Sequence, residues 1–137
     1  MNYSSVLTVA GKAAFINAAA TGSEVNFSRF EVGDGNPDSD PAGYVSYDPN
    51  GAETALRNMR HGGPINDITI DLDDPSRLIV ETIVPASVGG FWISEFGLFD
   101  DQDNLLLIAK LPETQKTHPD SGAASDLRLR TYVQTLS

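Results

Sequence analysis

Gly89-Gly90-Phe91-Trp92-Ile93-Ser94-Glu95-Phe96-Gly97-Leu98-Phe99-Asp100 decides how the rest of the chain is read. A glycine pair opens the stretch, a strand follows, and an acidic turn closes it. Side chains of an extended chain alternate between two faces. Phe91, Ile93, Glu95, Gly97 and Phe99 then share one face, and Trp92, Ser94, Phe96 and Leu98 the other. Both faces carry large apolar groups, so both need cover from a helix, a second sheet or another subunit. Phe91, Trp92, Phe96 and Phe99 are mostly core on this pattern, with one or two available as interface anchors. A subunit contact is expected on the face that a single helix leaves open. Glu95 stands out as a carboxylate among aromatics. It reads as a structural group, paired with an arginine such as Arg128 or Arg130 or accepting from backbone donors. A general acid would need a second acid, a base or a nucleophile, and none is near in sequence.

Working outward, Thr8 to Ala20 predicts a helix with Thr8 as N-cap and Gly22 as stop. Gly11 inside it costs about 1 kcal/mol relative to alanine, which points to close backbone contact. Val25 to Val32 predicts a strand whose apolar phase changes midway, the mark of a bulge or of cover on both sides. Gly33-Asp34-Gly35-Asn36-Pro37 ends it. Asp38 to Asn50 is polar and predicts a long surface loop. Glu53 to Met59 predicts a short helix with Leu56 and Met59 on one face, broken by His61-Gly62-Gly63-Pro64. Ile65 to Leu72 and Leu78 to Val84 predict an antiparallel hairpin around Asp73-Asp74-Pro75-Ser76. Asp100 to Asn104 is a hairpin loop, and Leu105 to Leu111 the returning strand. Pro112 to Ser125 predicts a loop, and Leu127 to Val133 alternates as a last strand. The fold class expected is α+β: an N-terminal helix packed on a mostly antiparallel sheet of about six strands.

The chain has 137 residues, which fits one domain spanning 1–137. It has no cysteine, so thiolate metal sites and disulfides are excluded. Its formal net charge of −10 disfavours phosphate-neutralising nucleic-acid binding and anionic membrane surfaces. Such acidity serves solubility, or else complements a basic protein partner. No segment has the run of about 20 apolar residues that membrane insertion by a helix needs.

The two histidines, His61 and His118, fall in expected loops and in no zinc-binding spacing. No nucleophile-elbow pattern occurs. Asp34 to Asp40 and Asp100 to Asn104 gather oxygen ligands, but neither has the spacing of a calcium loop, and Asp and Asn are ordinary turn formers. Gly33-Asp34-Gly35 lacks a third glycine and a following helix, so it is no dinucleotide fingerprint. Gly89-Gly90 precedes a strand, so it is no phosphate loop. No cofactor, metal site or catalytic residue is expected.

Five segments together resemble the N-terminal domain of tail-fibre proteins from contractile-tailed bacteriophages and phage-tail-like bacteriocins. They are Leu7 to Gly11, Val32 to Gly35, Gly63 to Asn66, Val88 to Asp100 with Leu105 to Ala109, and Leu111 to Thr114 with Lys116. They fall in family order over nearly the whole chain, and Gly89 to Phe99 is the specific one. Ser94 stands where the family often has arginine, and no proline follows Lys116. The resemblance implies a structural virion protein without chemistry of its own. It would anchor a tail fibre to baseplate proteins at the periphery of the tail, after synthesis in the host cytoplasm, and so support host attachment. It also implies a homotrimer, with a downstream shaft or a second fibre protein supplying reach. The C-terminus is accordingly expected to project outward from the baseplate, clustered with its symmetry mates about a threefold axis. The alternatives are a glycan- or receptor-binding module, which needs exposed aromatics in one groove, and a polysaccharide depolymerase, which needs paired carboxylates.

Overall fold

The computed structural model describes residues 4–36, 43–120, 122 and 125–134. In chain order the elements are β1 (Ser4–Leu7), α1 (Val9–Thr21), β2 (Arg29–Gly33), β3 (Met59–Pro64), β4 (Asp67–Ile70), β5 (Arg77–Val84), β6 (Phe91–Phe99), β7 (Leu105–Lys116) and β8 (Leu127–Gln134). They form two sheets. One has the order β1-β7-β6-β2-β3 and the other β4-β5-β8. Every pairing is antiparallel. The expected α+β fold with one sheet of about six strands is therefore wrong. The molecule is mostly β, with two antiparallel sheets and, among the described residues, one short helix. Alternation reveals that a strand has a buried face, not which sheet it joins. β5 pairs with β8 through Val80↔Thr131 and Val84↔Leu127, and neither strand pairs with β6.

The core lies between the sheets. Phe30, Val32, Phe96 and Leu98 of the larger sheet meet Val80, Val84 and Val133 of the smaller one. The other face of the larger sheet carries Phe99, Leu105 and Ile108 and is covered by Leu56 and Tyr47. Both faces of β6 thus find cover within one chain. Phe91 and Ile93 lie in the same core as Phe96 and Leu98, so the alternation changes phase between them. The ladder shows where. Ile93 pairs with Thr114 and Glu95 with Lys110, so Leu111, Pro112 and Glu113 oppose Ser94 alone. A bulge of this kind re-aims side chains.

That bulge explains why Pro112 to Ser125 reads as a loop although β7 continues to Lys116. A proline is tolerated at a bulge because no ladder donor is required there. The short helix expected at Glu53 to Met59 does not form. The Glu53 carboxylate accepts from Asn50 and Gly51 N–H, while Arg57 and Asn58 N–H point to Glu95, so these groups serve a loop. Met59 opens β3, which runs through His61 to Pro64 and is an edge strand, where proline is allowed. The strand expected at Val25 begins at Arg29, and its register shifts at Val32/Gly33.

α1 docks on a second irregularity of β7, where Leu98 pairs with Leu107 but Phe99 with Leu105. The carbonyls around the extra Leu106 turn to Thr8: Leu106 O accepts Thr8 N–H at 3.0 Å, and Leu105 O accepts the Thr8 hydroxyl. Thr8 Oγ1 in turn accepts Gly11 N–H at 3.0 Å, as an N-cap should. Gly22, in the left-handed region, closes the helix.

Candidate functional site

The bulge opposite Ser94 turns two consecutive side chains of β6 toward the segment 43–58. Ser94 Oγ donates to Val45 O at 3.0 Å. Glu95, fully buried, accepts four hydrogen bonds. Its Oε1 takes the Tyr47 hydroxyl and the Arg57 N–H, the latter at 2.8 Å. Its Oε2 takes the N–H groups of Asn58 at 2.8 Å and Gly35 at 3.1 Å. Three of the four donors are backbone. Arg128 and Arg130, the arginine partners considered from sequence, lie on β8 in the other sheet, where Arg130 pairs with Glu81 at 2.8 Å.

Around the carboxylate, Gly33-Asp34-Gly35 forms a wall. A Cβ at Gly33 would lie 2.4 Å from Glu95 Oε2. Gly35 has φ +69°, and a Cβ there would lie 2.3 Å from Val45 O. Buried Asp34 accepts from Asn36 N–H at 2.9 Å and Asn58 Nδ2 at 2.8 Å, with Arg60 3.6 Å away. The Arg57 guanidinium stands 3.8 Å over the Tyr47 ring. Burial, and then the hydrogen bond to Glu95, push the Tyr47 phenol well above its ordinary range. A carboxylate offers about four acceptor sites, and here four donors fill them. The cage therefore has the chemistry of a clasp: it fastens the segment 43–58 to the sheet and leaves no oxygen lone pair for a substrate.

The aromatic anchors are distributed differently from the simple alternation. Phe96 is buried and stacked on Phe30 at 6.1 Å; Phe91 and Phe99 are buried as well. Arg60 and Arg29 cover the rings of Phe91 and Phe99 at 5.5 Å and 4.1 Å. Cover from within the chain removes the reason for a subunit contact at these three positions. Trp92 is half-buried and packs on exposed Tyr44 at 5.0 Å, so it alone retains open surface.

His61 lies on β3 rather than in a loop, edge-on to Phe30 at 6.1 Å. Burial lowers its pKa, and the charge of Lys116 lowers it further. Lys116 is itself buried, its ammonium donating to Val88 O at 2.7 Å and Pro85 O at 3.1 Å. His118 is exposed beside Asp120. The Asp100 carboxylate accepts from Gln102 N–H, Asn104 N–H and Asn104 Nδ2, which makes that acidic loop a self-contained turn. Asp38 and Asp40 of the other acidic loop lie outside the described residues, as does part of the expected Asp38 to Asn50 loop. Among the described residues no three His, Asp or Glu side chains gather as a metal site, and no helix is long and apolar enough to cross a membrane.

The family model described as phage tail-collar fibre protein, N-terminal, matches residues 1–137. The chain belongs to that family. A curated relative, the "Probable tail fiber protein" of Escherichia phage P2, is 32% identical over 117 residues. That alignment covers 85% of this chain and 16% of the relative, so the chain spans a small part of the relative's length. No solved structure matches.

The segments that carry the tail-fibre resemblance meet in space. Gly33 and Gly35 wrap Glu95 of the Gly89 to Phe99 stretch. Thr8 and Gly11 rest on Leu105 and Leu106. Leu111 to Glu113 make the bulge that aims Ser94 and Glu95, and Lys116 ties down Pro85 and Val88. Asp34 has a sequence signal in its place between two glycines. Tyr47, Arg57 and Asn58 have none, because their segment shows no periodicity.

Proposed function

We propose that this tail-fibre domain anchors a fibre to the baseplate rim of a contractile tail, and so supports attachment to the host cell. It acts by packing rather than by making bonds. The observation that carries the non-enzymatic part is the Glu95 carboxylate, whose four acceptor positions are filled by protein donors. The family match to an N-terminal fibre domain supports the anchoring part, together with the greater length of the P2 relative. The fibre's shaft or a second fibre protein supplies the reach to the host. The domain works as a homotrimer, for which the outer stripe of α1 is the available contact. Val9 and Ile16 are 72% and 60% exposed there, one helical face with Ala13 and Ala20.

Cross-linking mass spectrometry of intact particles tests the reading. Cross-links from this domain to baseplate proteins are the expected result. Particles that assemble fibres normally without the chain would overturn it.

The Tyr44–Trp92 pair favours a second reading, a glycan-binding module, because a partly open aromatic pair is a stacking surface for sugar. Glycan-array binding by the purified chain, lost in Trp92→Ala, would favour that reading.

A further inference from the structure

The smaller sheet overhangs the core on one side. Beneath the overhang runs an open groove of about 590 Å³, lined chiefly by Phe15, Ala18, Phe27, Ile68, Ile70 and Leu78. Ile68 and Ile70 face it from β4 yet remain 40% and 60% exposed, and Leu72 beyond them is 95% exposed. Large apolar groups left open side by side mark an interaction surface.

The backbone of β4 points to the same place. β4 ends its sheet and pairs only with β5. Asp71 N–H donates to Arg77 O, which sets the phase of that ladder. In an antiparallel pair alternate residues turn their N–H and C=O groups toward the partner. Asp67 and Thr69 then face β5, whereas Ile68 and Ile70 face the open edge. The same two residues present apolar side chains to the groove and unpaired backbone groups to the edge. Natural sheets protect such edges with lysine, proline or bulges. β4, Asp67-Ile68-Thr69-Ile70, has no lysine or proline, and its register with β5 is continuous.

The rim is acidic. Glu24 lines the groove and is exposed, and Asp67 and Asp73, exposed as well, flank the Ile68 to Leu72 stretch; Lys12, one helical turn from Phe15, is the cation of α1. A second copy would bring a net charge of −10 against −10. A basic segment is complementary instead.

We propose that the groove between α1 and β4 is a docking site for a β-strand of a partner protein. That strand alternates apolar residues with lysine or arginine and adds antiparallel or parallel to the free edge of β4. Its apolar side chains fill the groove over Phe15, Ile68 and Ile70, and its cations, on the opposite face, lie beside Asp67. Strand addition draws affinity from main-chain hydrogen bonds and specificity from alternate side chains. The site rests on the geometry alone; only the assignment of the strand to a baseplate protein rests on the anchoring reading.

The probe is a synthetic peptide of about eight residues, the length of an ordinary strand, alternating isoleucine with lysine. A peptide of the same composition in scrambled order is its control. Titration of the purified chain, followed by calorimetry and by amide NMR shifts, is expected to favour the alternating peptide by about tenfold or more. Shifts should concentrate on β4 and on the groove side of α1. Ile68→Pro removes an outward-facing N–H and leaves the ladder to β5 intact; it should weaken binding by about tenfold. Ile70→Lys, an exposed position, carries the same test where Ile68→Pro lowers the melting temperature. Met59→Lys, an exposed position on the β3 edge of the other sheet, should leave binding unchanged.

Equal affinity for the scrambled peptide, or shifts spread over the other acidic loops, would overturn the proposal. So would binding that survives both β4 variants. Self-association of the chain that Ile70→Lys abolishes would also overturn it, since the occupant would then be a second copy. Particles lacking contacts between this chain and the baseplate remove only the assigned source of the strand; the peptide result stands apart from them.

Discussion

Glu95 concentrates the consequences of single substitutions. It binds Gly35, Arg57 and Asn58 N–H and the Tyr47 hydroxyl from a fully buried position. Each buried donor left unpaired costs about 1–3 kcal/mol, so Glu95→Ala should destabilise by about 3 kcal/mol or more even after water enters. Glu95→Gln keeps the shape but turns an NH₂ toward donors, and should fall between Ala and wild type. Urea unfolding measures the loss, and limited proteolysis within 43–58 should increase in step; unchanged stability in Glu95→Ala would sink the clasp. His61 gives a separate, pH-dependent prediction. Its folded pKa is below the ordinary 6.5 because of burial and Lys116. As pH falls past 6.5 the unfolded chain takes up the proton first, so stability is full above that value and declines below it. Lowered carboxylates such as Asp71, held by Asp73 N–H and Arg77, respond only near and below 3.8. Melting temperatures between neutral pH and mild acid should therefore fall less in His61→Asn than in wild type, while the steep loss in strong acid persists in both.

At the scale of elements, the two irregularities of β7 hold the molecule together, and they also limit what the sequence reveals. At Leu106 the ladder slips, and the freed carbonyls of Leu105 and Leu106 receive Thr8. Gly11 lies so close that a Cβ would come 1.9 Å from Leu106 O. Gly→Ala inside a helix ordinarily gains about 0.5–1 kcal/mol. Here overpacking against backbone should reverse the sign and cost about 1–3 kcal/mol, measured by thermal or denaturant unfolding. A stabilised Gly11→Ala protein would show that the helix does not depend on this contact. Thr8 as N-cap, Gly11 as a close approach and Gly22 as the stop were legible because capping is local chemistry. The β4–β5 hairpin was legible for the same reason. The second sheet was not, since the pairing of β5 with β8 is set by long-range packing of Val80, Val84 and Val133. The split role of β6 was hidden too. Simple alternation puts Glu95 with Phe91 and Ile93, and only the three residues opposite Ser94 show why it points the other way. Of the candidate site, the structural character of Glu95 could be read from a lone charge in an apolar strand, but three of its four donors come from Tyr47, Arg57 and Asn58, in a segment without periodicity.

For the whole molecule, charge sets the terms of assembly. With a net charge of −10, copies repel one another, and the proposed homotrimer needs a contact where carboxylates are absent. No Asp or Glu precedes Glu24, and α1 carries Lys12 as its charged residue. This helix is apolar on two opposite sides. Gly11, Ala14, Phe15 and Ala18 face the protein, while Val9, Ala13, Ile16 and Ala20 face away. A helix apolar all round is normally buried, so the outer stripe is suited to a helix of another copy. Repulsion between the acidic remainders is screened once salt shortens the Debye length to about 10 Å or less. Self-association in sedimentation equilibrium should therefore strengthen from low to moderate salt. Ile16→Lys should prevent it at any salt, because it buries a charge at the centre of the stripe. The same substitution should leave the unfolding midpoint nearly unchanged, since Ile16 is exposed in the single chain and surface changes of this kind move stability by about 0.5 kcal/mol or less. A chain that stays monomeric at every salt concentration, or a trimer indifferent to Ile16→Lys, would remove α1 as the contact of the proposed homotrimer.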